Sequence, residues 1–266
     1  QKMMLGRLKQ LRTLTPLGEK EISELGEKYI INAENFLRAI TLPNGYLPMI
    51  GDTRGNDSGL PYLQNNDIDI LDYTNSGYVI IRGRILDKDI HIVFKACHMS
   101  HYHRHDDDLS IHLYFDGKII LADGGLGSHN EKDIERITLR AYSAHNSPYF
   151  TDTPAKRNVA ELNDLQPTVE INGDFIVGES NCYGYKIRRE INLSRISEGV
   201  IGIIDSSNHD GHIILASNFY STLGLFSAGD RLLAPIYPDK SLEIKPKSPT
   251  LPEINKSFSS YLFGDY

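Results

Sequence analysis

Three histidines spaced by two, His101, His103 and His105, run directly into the consecutive aspartates Asp106, Asp107 and Asp108, the densest group of metal-binding and acid-base side chains in the sequence. In extended backbone that spacing points all three imidazoles to one face of a strand. Downstream, Leu109 to Phe115 and Lys118 to Ala122 flank Asp116-Gly117, a dipeptide suited to a two-residue type I′ hairpin turn. If Phe115 pairs with Lys118, Asp123 falls opposite Ser110 and close to His105. His145, in Ala144-His145-Asn146, then completes a set of two imidazoles and one carboxylate: His105, Asp123 and His145. Three protein ligands with an open fourth position is the arrangement of a catalytic zinc site, whereas closed structural sites take four. The cofactor expected is therefore a divalent metal, Zn2+ first, with Ca2+, Mn2+ or Fe2+ as alternatives. The competing reading is a solvated loop whose aspartates cap backbone amides. Taken singly, His91, His98, His112, His209 and His212 read as surface or satisfied polar residues.

These residues need a scaffold, and the sequence supplies mostly short β runs divided by Gly, Asn, Asp and Ser. The runs are Tyr78 to Gly83, Ile90 to Ala96, Leu109 to Phe115, Lys118 to Ala122, Thr168 to Ile171, Tyr185 to Leu193, Gly199 to Asp205 and His212 to Asn218. Such spacing predicts a mainly β fold, a large antiparallel β-sandwich. Before it come one or two α-helices. Leucines at 5, 8, 11 and 14 suggest the first, and Thr15-Pro16 reads as N-cap and first position of the second. Ile22, Leu25, Tyr29, Ala33, Phe36, Leu37 and Ile40 then repeat at three and four, an apolar face that must pack on something, until Leu42-Pro43-Asn44-Gly45 ends it. The face belongs either on the sandwich or, the preferred reading, on a larger body preceding this chain. Position 1 is Gln rather than Met, which agrees with that expectation.

At 266 residues and 40% hydrophobic, the chain can bury a sizeable core as one sheet domain with a helical preface. It shows no internal repeat, low-complexity tract or apolar run of membrane-spanning length. The segment Pro235 to Pro252 reads as a surface wrap or edge strand. A net charge of −7 offers no basic field for nucleic acid or an anionic membrane. Cys97 and Cys182 are too few for a disulfide framework, and whether they pair is open. No signal peptide is visible in this stretch.

The segments His103 to Ser110 (HRHDDDLS), Phe115 to Gly125 (FDGKIILADGG), Arg136, Arg140 and Ala144 to Ser147 (AHNS) resemble, in order and spacing, the signature of the heparinase II/III-like polysaccharide lyases. Softer matches are Gly45 to Asp52, Ser76 to Arg82, and Arg188-Arg189, so the likeness covers about residues 43 to 220. The resemblance implies that 1–42 are the last helices of a helical (α/α) toroid and that 43–266 form the sheet domain. It implies a metal on His105, Asp123 and His145, with His103 facing substrate as the catalytic residue. The implied reaction is β-elimination on a uronic-acid-containing polysaccharide or oligosaccharide. There a base takes the C5 proton, donors meet the developing charge, and the C4 oxygen leaves with a proton. The implied location is periplasmic or secreted.

Departures from the family pattern shape the remaining expectations. The catalytic Tyr and carboxylate-binding Asn or His come largely from the toroid, so an N-terminal helical domain or second chain is expected to complete the site. Where relatives carry a Tyr after the D-x-G turn, this chain places His129 a few residues on, a candidate substitute. Arg136, Arg140, Arg188 and Arg189 could form a cationic cleft for the substrate, or could be tied into structural ion pairs. Tyr142 and Tyr149 are candidate substrate-facing phenols or plain strand aromatics. Two other functions fit the same residues. One is a cupin-like metalloenzyme in which His105, Asp107 and His145 mimic an iron(II) facial triad. The other is a non-catalytic carbohydrate-binding or surface-polysaccharide assembly protein with the metal as a strut.

Overall fold

The computed structural model describes residues 5–10, 20–96, 104–150, 168–182, 184–207, 215–221, 224–227, 232–235 and 256–262. They form two β-sheets with a helical preface. The first sheet runs β1 (Asp69–Tyr73), β2 (Tyr78–Ile85), β3 (Lys88–Lys95), β4 (Ser110–Phe115), β5 (Lys118–Leu121), β11 (Leu215–Ser221) and β12 (Gly224–Ser227), with β6 (Pro148–Phe150) also on β11. The second runs β13 (Leu232–Pro235), β14 (Lys256–Leu262), β10 (Val200–Ser207), β9 (Ile187–Asn192), β8 (Phe175–Ser180) and β7 (Thr168–Asn172). Among the named strands, every pairing is antiparallel except β13 with β14.

Alternation explains why the sheets stack. Val79, Ile81 and Ile85 of β2, Ile90, Ile92 and Phe94 of β3, and Ile111, Leu113 and Phe115 of β4 share one buried cluster with Ile176, Ile187, Ile191, Ile201 and Ile203 of the second sheet. A period of two puts each set on one side of its strand, and full burial of such side chains contributes ~1.5–3 kcal/mol apiece. The β-sandwich expected from the short runs is therefore present. The outer side of the first sheet is mixed: Ile80 and Val93 meet a helix there, beside His91, Lys95 and His112.

That helix, Lys20–Ile40, is preceded by a short helical stretch at 5–10. Phe36 and Ala39 pack on Ile80 and Val93, and Phe36 meets the Tyr73 and Tyr78 rings edge-on at 5.1 and 5.3 Å. His91 donates from Nε2 to the Ala39 carbonyl at 2.8 Å, satisfying one of the acceptors that a helix end leaves open. The expectation that the apolar face belongs to another body is thus corrected for its last turns, which lie on the sandwich. Leu25 and Tyr29 remain more than half exposed at 54% and 57%. Thr15-Pro16 lies outside the described residues.

The hairpin pairs Phe115 with Lys118 as expected, but a bulge between Leu113 and Tyr114 advances the register, so Leu121 faces Leu113. Continuing that register sets Asp123 one residue away from the predicted partner, Ser110. Strands β1, β6, β8, β12, β13 and β14 lie outside the runs expected from the sequence. β8 carries a mid-strand glycine, Gly178, and β14 is rich in Ser, both of which weaken a strand pattern. Close approach fixes another glycine: a Cβ on Gly83, at φ +148, would lie 2.2 Å from the Asp67 carbonyl oxygen where the chain crosses β2. Most of the segment Pro235 to Pro252 lies outside the described residues.

Candidate metal centre

Four stretches of chain converge at the end of β3 and the start of β4. Lys95 closes β3; the turn 104–109 leads into β4, with the Ser110 amide donating to the Asp107 carbonyl at 3.2 Å. Asp123 follows β5, and His145 follows the short helix Ile134–Arg140 and a single 3-10 turn. The Asn146 side-chain amide donates to the carbonyls of Ile111, at 3.0 Å, and Ala122, at 2.7 Å. It thereby clips His145 to both strands of the hairpin just where their own pairing ends.

His105, Asp107 and His145 are all buried, and their ligand atoms lie within 4.8 Å of one another. Each is oriented by a neighbour. His105 Nε2 meets Asp52 Oδ1 at 2.8 Å, His145 Nδ1 meets Asp123 Oδ2 at 2.9 Å, and Lys95 Nζ is ion-paired with Asp107 Oδ2. What these bonds leave over is His105 Nδ1, Asp107 Oδ1 and His145 Nε2, three buried polar atoms without a hydrogen-bond partner. Buried polar groups are rarely left so. A histidine whose other ring nitrogen is fixed by a carboxylate is the usual form of a metal ligand.

Electrostatics point the same way. Asp107 is held well below the usual carboxylate range: burial opposes ionisation, but Lys95 and His145 outweigh it. Burial pushes His105 down, so its imidazole favours the neutral, ligating form. His145 is pushed down by burial yet raised overall by Asp123 and Asp107, so the surroundings favour positive charge at that point. Lys95 is likewise opposed by burial and raised by Asp107. A divalent cation would answer this demand, and the imidazole and carboxylate donors suit zinc or iron(II).

Asp123, expected as a ligand, stands behind His145 and also accepts from the Gly125 amide at 3.3 Å, while Asp107 takes the place beside the imidazoles. Arg136, expected to face substrate, is 1% exposed and grips Asp52 with both arms, which corrects that role to holding the carboxylate that orients His105. Arg140 is partly exposed at 31%; it donates to the Arg104 carbonyl at 2.8 Å and pairs with Glu131. Tyr142 is half-buried and stacks on Tyr149 with ring centroids 4.5 Å apart, and His129 is exposed. His101, His103 and Cys97 lie outside the described residues, and Cys182 is buried. Arg188 pairs with Glu190 at 2.8 Å, and Arg189 is wholly buried. Lys95 and Asp52 were missed. A lysine interrupting the apolar run Ile90 to Ala96 was the available signal for the first.

Against known proteins, the family described as Heparinase II/III-like, C-terminal matches residues 67–213, more than half of the chain. The chain belongs to that family. Among solved structures, a heparinase III gene product superposes with a TM-score of 0.58 at 17% identity, over 74% of this chain and 35% of that one. A crystal structure of heparinase III gives 0.52 at 18%, over 75% and 38%. Heparan sulfate lyase HepC from Pedobacter heparinus gives 0.53 at 15%, over 74% and 34%. At such identity the likeness is one of fold, and the chain spans about a third of the length of these structures. No curated protein matches the chain.

Proposed function

We propose that this chain is the sheet portion of a lyase that cleaves a uronic-acid-containing polysaccharide by β-elimination, with a divalent metal held by His105, Asp107 and His145. The observation that carries the metal is the convergence of three buried, unpartnered donor atoms in a chain of this family. Zinc suits the donors best, with calcium, manganese or iron(II) as alternatives. When bound, the cation would supply a fixed positive charge that ties the 104–109 turn to His145. Asp123 and Asp52 hold the two imidazoles in their ligating orientation, and Lys95 keeps Asp107 ionised.

In the reaction a base removes the C5 proton, a C4–C5 double bond forms, the C4–oxygen bond breaks, and the leaving oxygen takes up a proton. His103, two residues before His105, is assigned to that chemistry by family pattern, either neutralising the substrate carboxylate or moving a proton. Arg140, Tyr142 and His129, with exposed surface, are the substrate-contact candidates on this chain. The helices before residue 43 are read as the end of a helical domain that supplies the rest of the site, in a protein working in the periplasm or outside the cell.

The test is ultraviolet absorbance of the conjugated uronide while this chain, and a longer form carrying the helical domain, is incubated with heparan sulfate, hyaluronan, alginate and bacterial exopolysaccharides. A rise abolished by His103→Ala supports elimination and names the substrate class. A rise only with the longer form assigns the missing base to the helical domain. Two histidines and one carboxylate also form the iron(II) oxygenase triad, whose products lack that chromophore. Silence from both forms overturns the lyase in favour of a carbohydrate-binding role.

A further inference from the structure

We infer that Arg189, on the second sheet and remote in sequence from every proposed ligand, is a positioning residue for the metal centre. This rests on the metal reading above. Arg189 is 0% exposed and sits in β9 directly opposite Asp205 of β10. Its Nε and Nη2 donate to Asp205 Oδ1 and Oδ2, both at 2.7 Å, a two-pronged pair that fixes the guanidinium plane. The remaining arm, Nη1, donates across the sandwich to two backbone carbonyls, Leu109 at 2.7 Å and Asn146. Leu109 closes the turn that carries Asp107, and Asn146 follows His145. One buried nitrogen thus joins the two stretches that must present a carboxylate and an imidazole to the same ion.

The turn at Leu109 needs such a tie. Leu109 has φ +62, the left-handed region that L side chains avoid, while its side chain is 1% exposed. The space for that side chain exists because β8 offers glycine: a Cβ on Gly178 would come within 2.7 Å of Leu109 Cδ2 and of Phe94 Cζ. With the leucine slotted over Gly178 and its carbonyl on Arg189, the left-handed turn is held from both ends. A guanidinium suits this task and an ammonium does not. Lysine could neutralise Asp205 as a point charge, but its single nitrogen cannot clamp both carboxylate oxygens and reach the two carbonyls at once.

The test is zinc affinity by chelator competition on the purified chain, with circular dichroism to confirm folding. Arg189→Lys, which keeps the buried charge balanced, is expected to weaken zinc binding about 10–100-fold, the range for groups that orient metal ligands from behind. Asp205→Asn, isosteric with the native residue, is expected to weaken it several-fold and serves if Arg189→Lys does not fold. Ile203→Ala, a core change that touches neither carbonyl, is expected to lower stability and leave affinity unchanged. Unaltered affinity in both Arg189→Lys and Asp205→Asn, or an equal loss in Ile203→Ala, overturns the positioning role while leaving the metal reading intact. A wild-type chain that takes up no zinc, calcium, manganese or iron(II) overturns both.

Discussion

Arg136 and Arg189 each grip an aspartate with both arms, and each pair bears on the same candidate metal centre, one through a side chain and the other through the backbone. Arg136 holds Asp52, whose side chain keeps 15% exposure, and through it the His105 ring. Arg189 holds Asp205 in the core between the sheets, at 0% and 2% exposure, and through its third arm the backbone beside Asp107 and His145. The first pair can exchange partners with water; the second cannot. Burial therefore decides how much a single lost bond costs, and it separates a group that trims one side chain's orientation from one that sets where two chain segments lie.

The largest expected effect falls on metal uptake by the proposed ligands themselves. His145→Ala and His105→Ala should each abolish uptake measured by metal analysis of the dialysed protein, and retention by either would remove it from the ligand set. In denaturant unfolding, Arg189→Met should cost about 3–5 kcal/mol by stranding Asp205, and Arg189→Met with Asp205→Leu should recover most of that. Arg136→Met should cost only about 1–3 kcal/mol, because Asp52 can turn to water. Equal losses would erase the distinction between the two pairs.

The outer side of the first sheet also carries groups that respond to acid. Burial pushes His91 and His112 down from 6.5 to about 4, and neither His112 ring nitrogen has a hydrogen-bond partner. The unfolded chain thus binds these protons more readily than the folded one. The stability they protect is complete above pH 6.5 and is lost as pH falls toward about 4. His112→Leu should flatten the fall in melting temperature across that window, and an unchanged slope would assign the acid sensitivity elsewhere. The smallest effect belongs to Arg140→Ala at the rim, where loss of the Glu131 pair should change stability by less than about 1 kcal/mol. A rise in KM with kcat kept would establish Arg140 as a substrate contact.

Much of the frame was legible because alternation is a local property. Each inward set, such as Ile90, Ile92 and Phe94, declares its face by spacing alone, and Asp116-Gly117 declares its turn. Strand β8 was missed because Gly178 breaks its pattern, and that glycine's purpose is visible only from the leucine it accommodates on the facing sheet. The site was legible in part: His105 and His145 could be grouped from motif and hairpin. The bulge at Leu113 could not be foreseen, and it decides where Asp123 falls.

By itself, the sequence determined the class of fold, the family pattern and the residue types gathered at the candidate metal centre, because periodicity, turn dipeptides and motif spacing act over a few residues. Tertiary structure alone decided which carboxylates lie against the two imidazoles and at which ring atoms, and which arginines face solvent and which lie in the core. Those roles depend on distance and burial between segments as far apart as Asp52 and Arg136, or Leu109 and Arg189, and dielectric and packing at such contacts exist only once the chain has folded.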